Sequence, residues 1–276
     1  MSEYFEGRYF KHQKDGEIIA LIPGRCEDAA FVQVLDRNQS FCFFYPVTEY
    51  ENTGGAIRVG PNIFSVDGIH VDINRDGSKI SAELQYGPFT PIRSDIMGPF
   101  RFFPMQCRHG IISMRHNVNG LIQINDRAED FTGGVGYIEE DSGCSFPSEY
   151  LWIQCNENDY SIMLSVADIP FCGLRFTGCV CAILHQSREY RLATYRGVKI
   201  ERREPAGVIL RQGIYRLEVE IDSCASQPLF APHKGKMSRT IKECVSCCAV
   251  FTFFEREHAL FRLRSSHASF EYMCPN

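Results

Sequence analysis

Apolar and polar positions alternate with a period of two along much of the chain. In residues 79–86 (KISAELQY), Ile80, Ala82, Leu84 and Tyr86 alternate with Lys79, Ser81, Glu83 and Gln85. In 215–221 (YRLEVEI), Tyr215, Leu217, Val219 and Ile221 alternate with Arg216, Glu218 and Glu220. Successive side chains of a strand point to opposite faces, so each segment reads as a strand with one dry and one wet side. Segments 41–45, 69–73, 111–114, 121–124, 180–184, 198–202, 208–211, 250–254 and 259–263 are further short candidates. The spacers suit hairpins. Asn74-Arg75-Asp76-Gly77 separates two candidates, and Asn119-Gly120 between two apolar runs predicts a primed turn.

Strands recurring roughly every ten residues predict an all-β chain of antiparallel sandwiches or barrels with very little helix. The helix candidates are 187–195, which fits a strand equally well, and short pieces near Glu27-Asp28 and 239–244. Patterning is weakest at 125–134 (NDRAEDFTGG), which predicts two units, 1–132 and 133–276. No clear repeat relates the halves, although Glu6-Gly7-Arg8-Tyr9 and Gly136-Tyr137-Ile138-Glu139 offer similar openings.

Composition narrows the function. A net charge of −5 with scattered Lys and Arg lacks the basic footprint of a nucleic-acid binder. The N-terminal stretch MSEYFEGRYFKHQKDG has no apolar core of a signal peptide, and no run of about 18 apolar residues offers a membrane span. The expectation is a cytoplasmic protein whose 13 cysteines are reduced. Cys244 and Cys247 form one CxxC, but no second pair stands at zinc-ribbon spacing, so no metal is expected. No Gly-x-Ser-x-Gly elbow, Walker loop or dinucleotide fingerprint is present.

The densest chemistry lies at 133–159, GGVGYIEEDSGCSFPSEYLWIQCNEND, which holds Trp152, the single tryptophan. Strand alternation would put Glu139 and Asp141 on one face and Glu140 on the other. Two carboxylates on an inward face repel, so one keeps its proton to higher pH and can act as a general acid; a solvated acidic turn is the plainer alternative. Arg108, His109 and His116 lie together at 105–116, where a histidine can serve as acid, base or orienting partner. Lys234, Lys236 and Arg239 in 229–241 suit a surface loop, with anion binding as the sharper alternative.

Several stretches resemble the tocopherol cyclase-like family in its bacterial branch: YFEGRYFKHQ (4–13), SDIMGPF (94–100), MQCRHGIISM (105–114), GYIEEDSGCSFPSEYLWIQCN (136–156), IPFCGLRFTG (169–178), ATYRG (193–197), LFAPHKGKMSRTIKE (229–243) and ASFEY (268–272). The resemblance implies two lipocalin-like β-barrels packed together, with a cavity within or between them. It implies cofactor-free, acid-assisted cyclisation, or a related isomerisation or hydration, of a prenylated apolar small molecule. An acid protonates the alkene, and aromatic walls shelter the tertiary cation. Carried over by position, Asp141 and Glu139 are the acid candidates and His109 an acid or its partner. Tyr9, Lys11, Tyr137 and Trp152 are candidates for lining the cavity or orienting substrate. The family pattern has tryptophan where this chain has Arg8 and Ser142, which removes two aromatic faces. A lipocalin-like protein that binds a hydrophobic ligand without converting it is the alternative; only the enzyme needs a proton donor facing the cavity.

Overall fold

The computed structural model describes residues 3–171, 173–223 and 225–274. Strand makes up about 72% of it and helix 4%. The first sheet comprises β1 (Phe5–Lys14), β2 (Glu17–Arg25), β3 (Ala29–Leu35), β4 (Ser40–Pro46), β5 (Tyr50–Asn52), β6 (Ala56–Val59), β7 (Asn62–Ser65), β8 (Gly68–Arg75), β9 (Ser78–Tyr86), β10 (Cys107–Ile124), β11 (Arg127–Asp130) and β12 (Gly134–Gly143). The second comprises β13 (Tyr150–Glu157), β14 (Tyr160–Phe171), β15 (Leu174–His185), β16 (Arg188–Ala193), β17 (Lys199–Glu204), β18 (Gly207–Gln212), β19 (Tyr215–Ser223), β20 (Gln227–His233), β21 (Lys236–Glu255) and β22 (His258–Met273).

Strand order explains the shape. The first sheet runs β4-β3-β2-β1-β12-β10-β9-β8-β7-β6-β5, with β11 paired to β10. Its edge strands β4 and β5 are joined by a 3-10 turn of 3 residues, Val47–Glu49. Laid flat at ~4.8 Å per strand, those edges would lie about 48 Å apart, whereas the connection reaches only about 14 Å. The sheet must therefore curl until its edges approach, which makes a barrel. The second sheet repeats the plan as β16-β15-β14-β13-β22-β21-β19-β18-β17, with β20 paired to β21 and the 3-10 turn Thr194–Arg196 joining β16 to β17. Thus β1, β12 and β10 correspond to β13, β22 and β21, a structural repeat that the sequence does not display.

Each barrel fills its interior with apolar side chains. Phe10, Val32, Phe43, Val71 and Ile122 are among those in the first, and Leu151, Ile162, Leu217, Phe251 and Phe253 among those in the second. Cys155, Cys179, Cys181, Cys244 and Cys247 join the second interior. Burial pushes Cys155 up to about 11 and Cys181 up to about 12, so these are unreactive small hydrophobes. The Cys244–Cys247 pair lies along β21 with both thiols in this interior. A third cluster, including Tyr9, Met114, Tyr137, Trp152, Met163 and Val245, lies between the barrels. It is formed by the opposite faces of the same strands.

The structure departs from the sequence reading at several points. Asn119-Gly120 makes no turn, because β10 runs through it as one strand of 18 residues. Gly120 has φ +131, and a Cβ there would collide with the carbonyl oxygen of Glu83, so the glycine serves close strand approach. The reversal comes after Ile124, where Asn125 takes φ 53. Segment 239–244 is strand within β21, 187–195 is β16 running into a 3-10 turn, and Glu27-Asp28 is a bend between β2 and β3. The 132/133 division falls one strand ahead of the change of sheet, since β12 pairs with both β1 and β10. Glu6-Gly7-Arg8-Tyr9 and Gly136-Tyr137-Ile138-Glu139 do not open separate halves. They lie on adjacent strands, with Tyr9 opposite Glu139.

Candidate active site

Strand register assembles the site. On the outer face of the first barrel, Tyr9 lies opposite Glu139, Lys11 opposite Tyr137, and His109 opposite Asp141. A β-bulge follows Ile111 in β10, so His109 and Ile111 share the inter-barrel face with Met114 despite the change of parity. The second barrel answers with Tyr150, Trp152 and Gln154 on β13, Glu271 on β22 and Glu243 on β21. Glu243 and Glu271 are direct cross-strand partners.

All the site residues expected from sequence lie at this junction. Glu139 is buried, and its Oε2 accepts hydrogen bonds from Tyr137 Oη at 2.5 Å and from Trp152 Nε1 at 3.2 Å. His109 Nε2 lies 3.5 Å from the same oxygen, and its Nδ1 lies 2.9 Å from Asp141 Oδ1. Tyr9 packs edge-on against Trp152 at 5.4 Å and donates to Glu243 Oε1 at 2.5 Å. Lys11 is fully buried beside the cavity rather than in its lining, with Nζ donating to Gln154 Oε1 and the carbonyl of His267, each at 2.8 Å. It ties the barrels together. Glu140 points away from Glu139 and Asp141, as alternation requires, and pairs with Arg8 Nε at 3.3 Å.

The electrostatics follow from burial. Desolvation lifts Glu139 to about 7 against the opposing pull of the His109 charge, with Asp141 adding repulsion. Burial alone would lower His109, but the charges of Asp141 and Glu139 outweigh it and raise the ring to about 9. Desolvation likewise raises Glu243 to about 8, and Glu271 is raised well above an ordinary carboxyl by burial and then by Glu243 across the strand pair. Lys11 is lowered by burial to about 8. The protons of these interacting groups belong to the cluster as a whole.

A cavity of ≈ 170 Å³ opens between the barrels. Tyr9, His109, Glu139, Asp141, Trp152 and Glu271 line it together with Phe5, Phe31, Phe146 and Tyr150. The lining is mainly apolar and aromatic, with the ionisable groups converging on one region. A second, polar recess of ≈ 250 Å³ shares Gly7, Arg8 and Asp141 with the cavity and is also lined by Glu6, Asn52, Glu140 and Ser142. Arg8 and Ser142, where the resembled family carries tryptophan, therefore border this wet recess. Arg8 also donates to the carbonyl of Gly54 at 2.7 Å.

Donor atoms of His109, Glu139 and Asp141 lie within 4.8 Å of one another, close enough to consider an ion. However, the imidazole meets the two carboxylates through opposite nitrogens. A single ion could not take the ring and both carboxylates without breaking one of these contacts. The charge of the ring already serves as the counter-charge. The set fits an imidazolium bridging two carboxyl groups better than a metal centre.

Sequence reading missed Glu243, Glu271 and the Tyr150 that donates to Glu271 Oε2 at 2.5 Å. The available signal was a glutamate set between two aromatic residues, as in Phe270-Glu271-Tyr272. The basic stretch 229–241 is not a surface loop but the β20–β21 hairpin, and its Arg239 donates to the carbonyls of Pro147 and Ser148, which anchors the segment between the barrels.

No family model matches the chain, and no curated protein matches it. Solved structures do match in fold. CghA, determined with Sch210972, superposes with a TM-score of 0.62 at 9% identity, covering 98% of this chain and 88% of that one. A putative AttH from Nitrosomonas europaea gives 0.55 at 10% identity, covering 97% and 91%. Kievitone hydratase from Nectria haematococca gives 0.54 at 9% identity, covering 98% and 88%. The chain shares their double-barrel fold over nearly its whole length. At such identities the likeness is one of fold alone.

Proposed function

We propose that the protein catalyses acid-assisted addition across an alkene of an apolar, prenyl-type small molecule, by cyclisation or hydration, in the cavity between the barrels. The observation that carries this reading is Glu139: a buried carboxyl, its proton held above the ordinary carboxylate range by desolvation, in the lining of an aromatic cavity. Its Oε2 accepts both hydrogen bonds and faces the imidazolium, so a proton on Glu139 resides on Oε1. In the proposed step Oε1–H delivers that proton to the alkene carbon, which leaves a tertiary cation. An oxygen of the substrate, or water, adds to the cation, and its proton returns to the Glu139 carboxylate. Nothing is oxidised or reduced. His109, charged and paired with Asp141, stabilises the carboxylate in the interval. The faces of Tyr9, Trp152 and Phe146 attract the cation. A neighbour named as a hydratase is consistent with this chemistry on the same fold.

Incubation with a prenylated hydroquinone, followed by chromatography of the products, tests the proposal. Turnover by the wild type that is lost in Glu139→Gln and reduced in Asp141→Asn is expected. Undiminished turnover in Glu139→Gln would remove Glu139 as the acid. Tight binding without turnover by the wild type would instead support the ligand-binding alternative.

A further inference from the structure

The cavity mouth carries apolar side chains that the barrels leave uncovered. Two segments border it and form a rim: the 3-10 turn Gly98–Phe102 with the loop leading into β10, and the paired ends of β14 and β15, where Ile169 lies opposite Phe176 and Pro170 opposite Arg175. They touch where Phe100 stacks on Phe176 at 5.6 Å, and both rings line the cavity with Met105, Ile169 and Pro170. Just outside this contact, Phe102 is 74% exposed, Leu174 75% and Phe103 43%. Large side chains rarely stand so far into water in a group, and such patches mark contact surfaces.

The charge of the rim is equally one-sided. Segments 98–109 and 169–178 contain Arg101, Arg108 and Arg175 and no Asp or Glu, in a chain whose net charge is −5. The Arg101 guanidinium lies over the Phe102 ring at 4.5 Å, and Arg108 donates to the carbonyl of Arg101 at 2.8 Å. Among the described residues none of these three arginines forms an ion pair with a carboxylate. Aromatic and aliphatic tips set among uncompensated arginines match a bilayer surface, in which apolar groups enter the acyl boundary and guanidinium groups meet anionic headgroups.

We infer that this rim docks the protein on an anionic lipid surface, with the inter-barrel cavity opening toward the bilayer. An apolar molecule dissolved in lipid would then pass into the cavity without crossing water. The inference goes beyond the proposed reaction and does not require it, since docking is measured without turnover.

Flotation with vesicles tests it. The intact protein should float with vesicles of phosphatidylcholine and phosphatidylglycerol, float far less with phosphatidylcholine alone, and be released by high salt. Phe102→Ser combined with Leu174→Ser should lower partition at least tenfold. Reversal of the three arginines to glutamate should lower it by on the order of 100-fold. Both variants change exposed positions, so an unaltered thermal melt should accompany the loss. Absence of flotation by the intact protein, or equal flotation by the Phe102/Leu174 variant, would overturn the inference. So would a concentration-dependent dimer that this variant abolishes, which would assign the patch to a second copy of the chain. Flotation together with failure to convert any prenylated hydroquinone would leave docking standing and remove the catalytic reading instead.

Discussion

The barrel interiors and the layer between the barrels are built from opposite faces of the same strands, yet they solve different problems. On β1, Phe10 enters an apolar core while its neighbours Tyr9 and Lys11 enter a layer of hydrogen-bonded ionisable groups. On β13, Leu151 and Ile153 fill the second interior while Trp152 and Gln154 face the junction. The interiors gain free energy from burial and close packing. The junction gives some of that up. It buries Glu139, Glu243 and Glu271 in surroundings that hold their protons well above the usual carboxylate range. Stability and chemistry thus reside on alternate residues of one strand, and a single step along the sequence separates them.

Substitutions on the two faces should therefore have opposite signatures. The largest effect is expected from Glu139→Gln, which should lower turnover about 10²- to 10⁴-fold, the range of general-acid catalysis, with little change in the thermal melt. Phe253→Ala, in the interior of the second barrel, should cost about 3–5 kcal/mol of stability in denaturant titration, while turnover of the folded fraction stays near that of the wild type. Loss of stability from the first change, or of chemistry from the second, would break the comparison.

A smaller effect concerns pH. Glu139, Glu243 and Glu271 are raised above 4.5, and His109 is raised from 6.5 to about 9, so between about pH 6.5 and 9 the folded chain holds protons that the unfolded chain has released. Stability should fall across that window, with the lowered Lys11 offsetting part of the fall only above about 8. Glu243→Gln should flatten the fall by up to ~1.4 kcal/mol per pH unit, measured by urea midpoints at several pH values. Below 6.5 the sign reverses for His12 and His116, which burial lowers to about 3 and about 4, so they destabilise the fold as they charge. The smallest effect is expected from Trp152→Phe. Loss of the indole N–H should raise Glu139 further and shift the alkaline limb of the pH–rate profile upward, with turnover changed about tenfold or less.

The alternation in residues 79–86 and 215–221 was enough to identify strands, and the same alternation placed Glu139 and Asp141 on a common face apart from Glu140. That information is local, and strand geometry fixes it. The Asn119-Gly120 reading failed because a glycine suited to a turn is equally suited to the close approach of β9, and only the register distinguishes the two. Glu243 and Glu271 escaped notice because each meets the site through pairing between strands distant from β12 in sequence. No spacing along the chain records that pairing. The repeat of β1, β12 and β10 by β13, β22 and β21 is likewise topological and leaves no shared residues to read.

The most direct test is the titration of Glu139 itself. Difference infrared spectra of the wild type against Glu139→Gln, recorded across pH, isolate the carbonyl stretch of its protonated carboxyl. A band persisting to a midpoint near 7 is the predicted result. A band lost by about 4.5, the value of an ordinary glutamate, would show an ionised side chain at neutral pH and contradict a proton donor in the cavity.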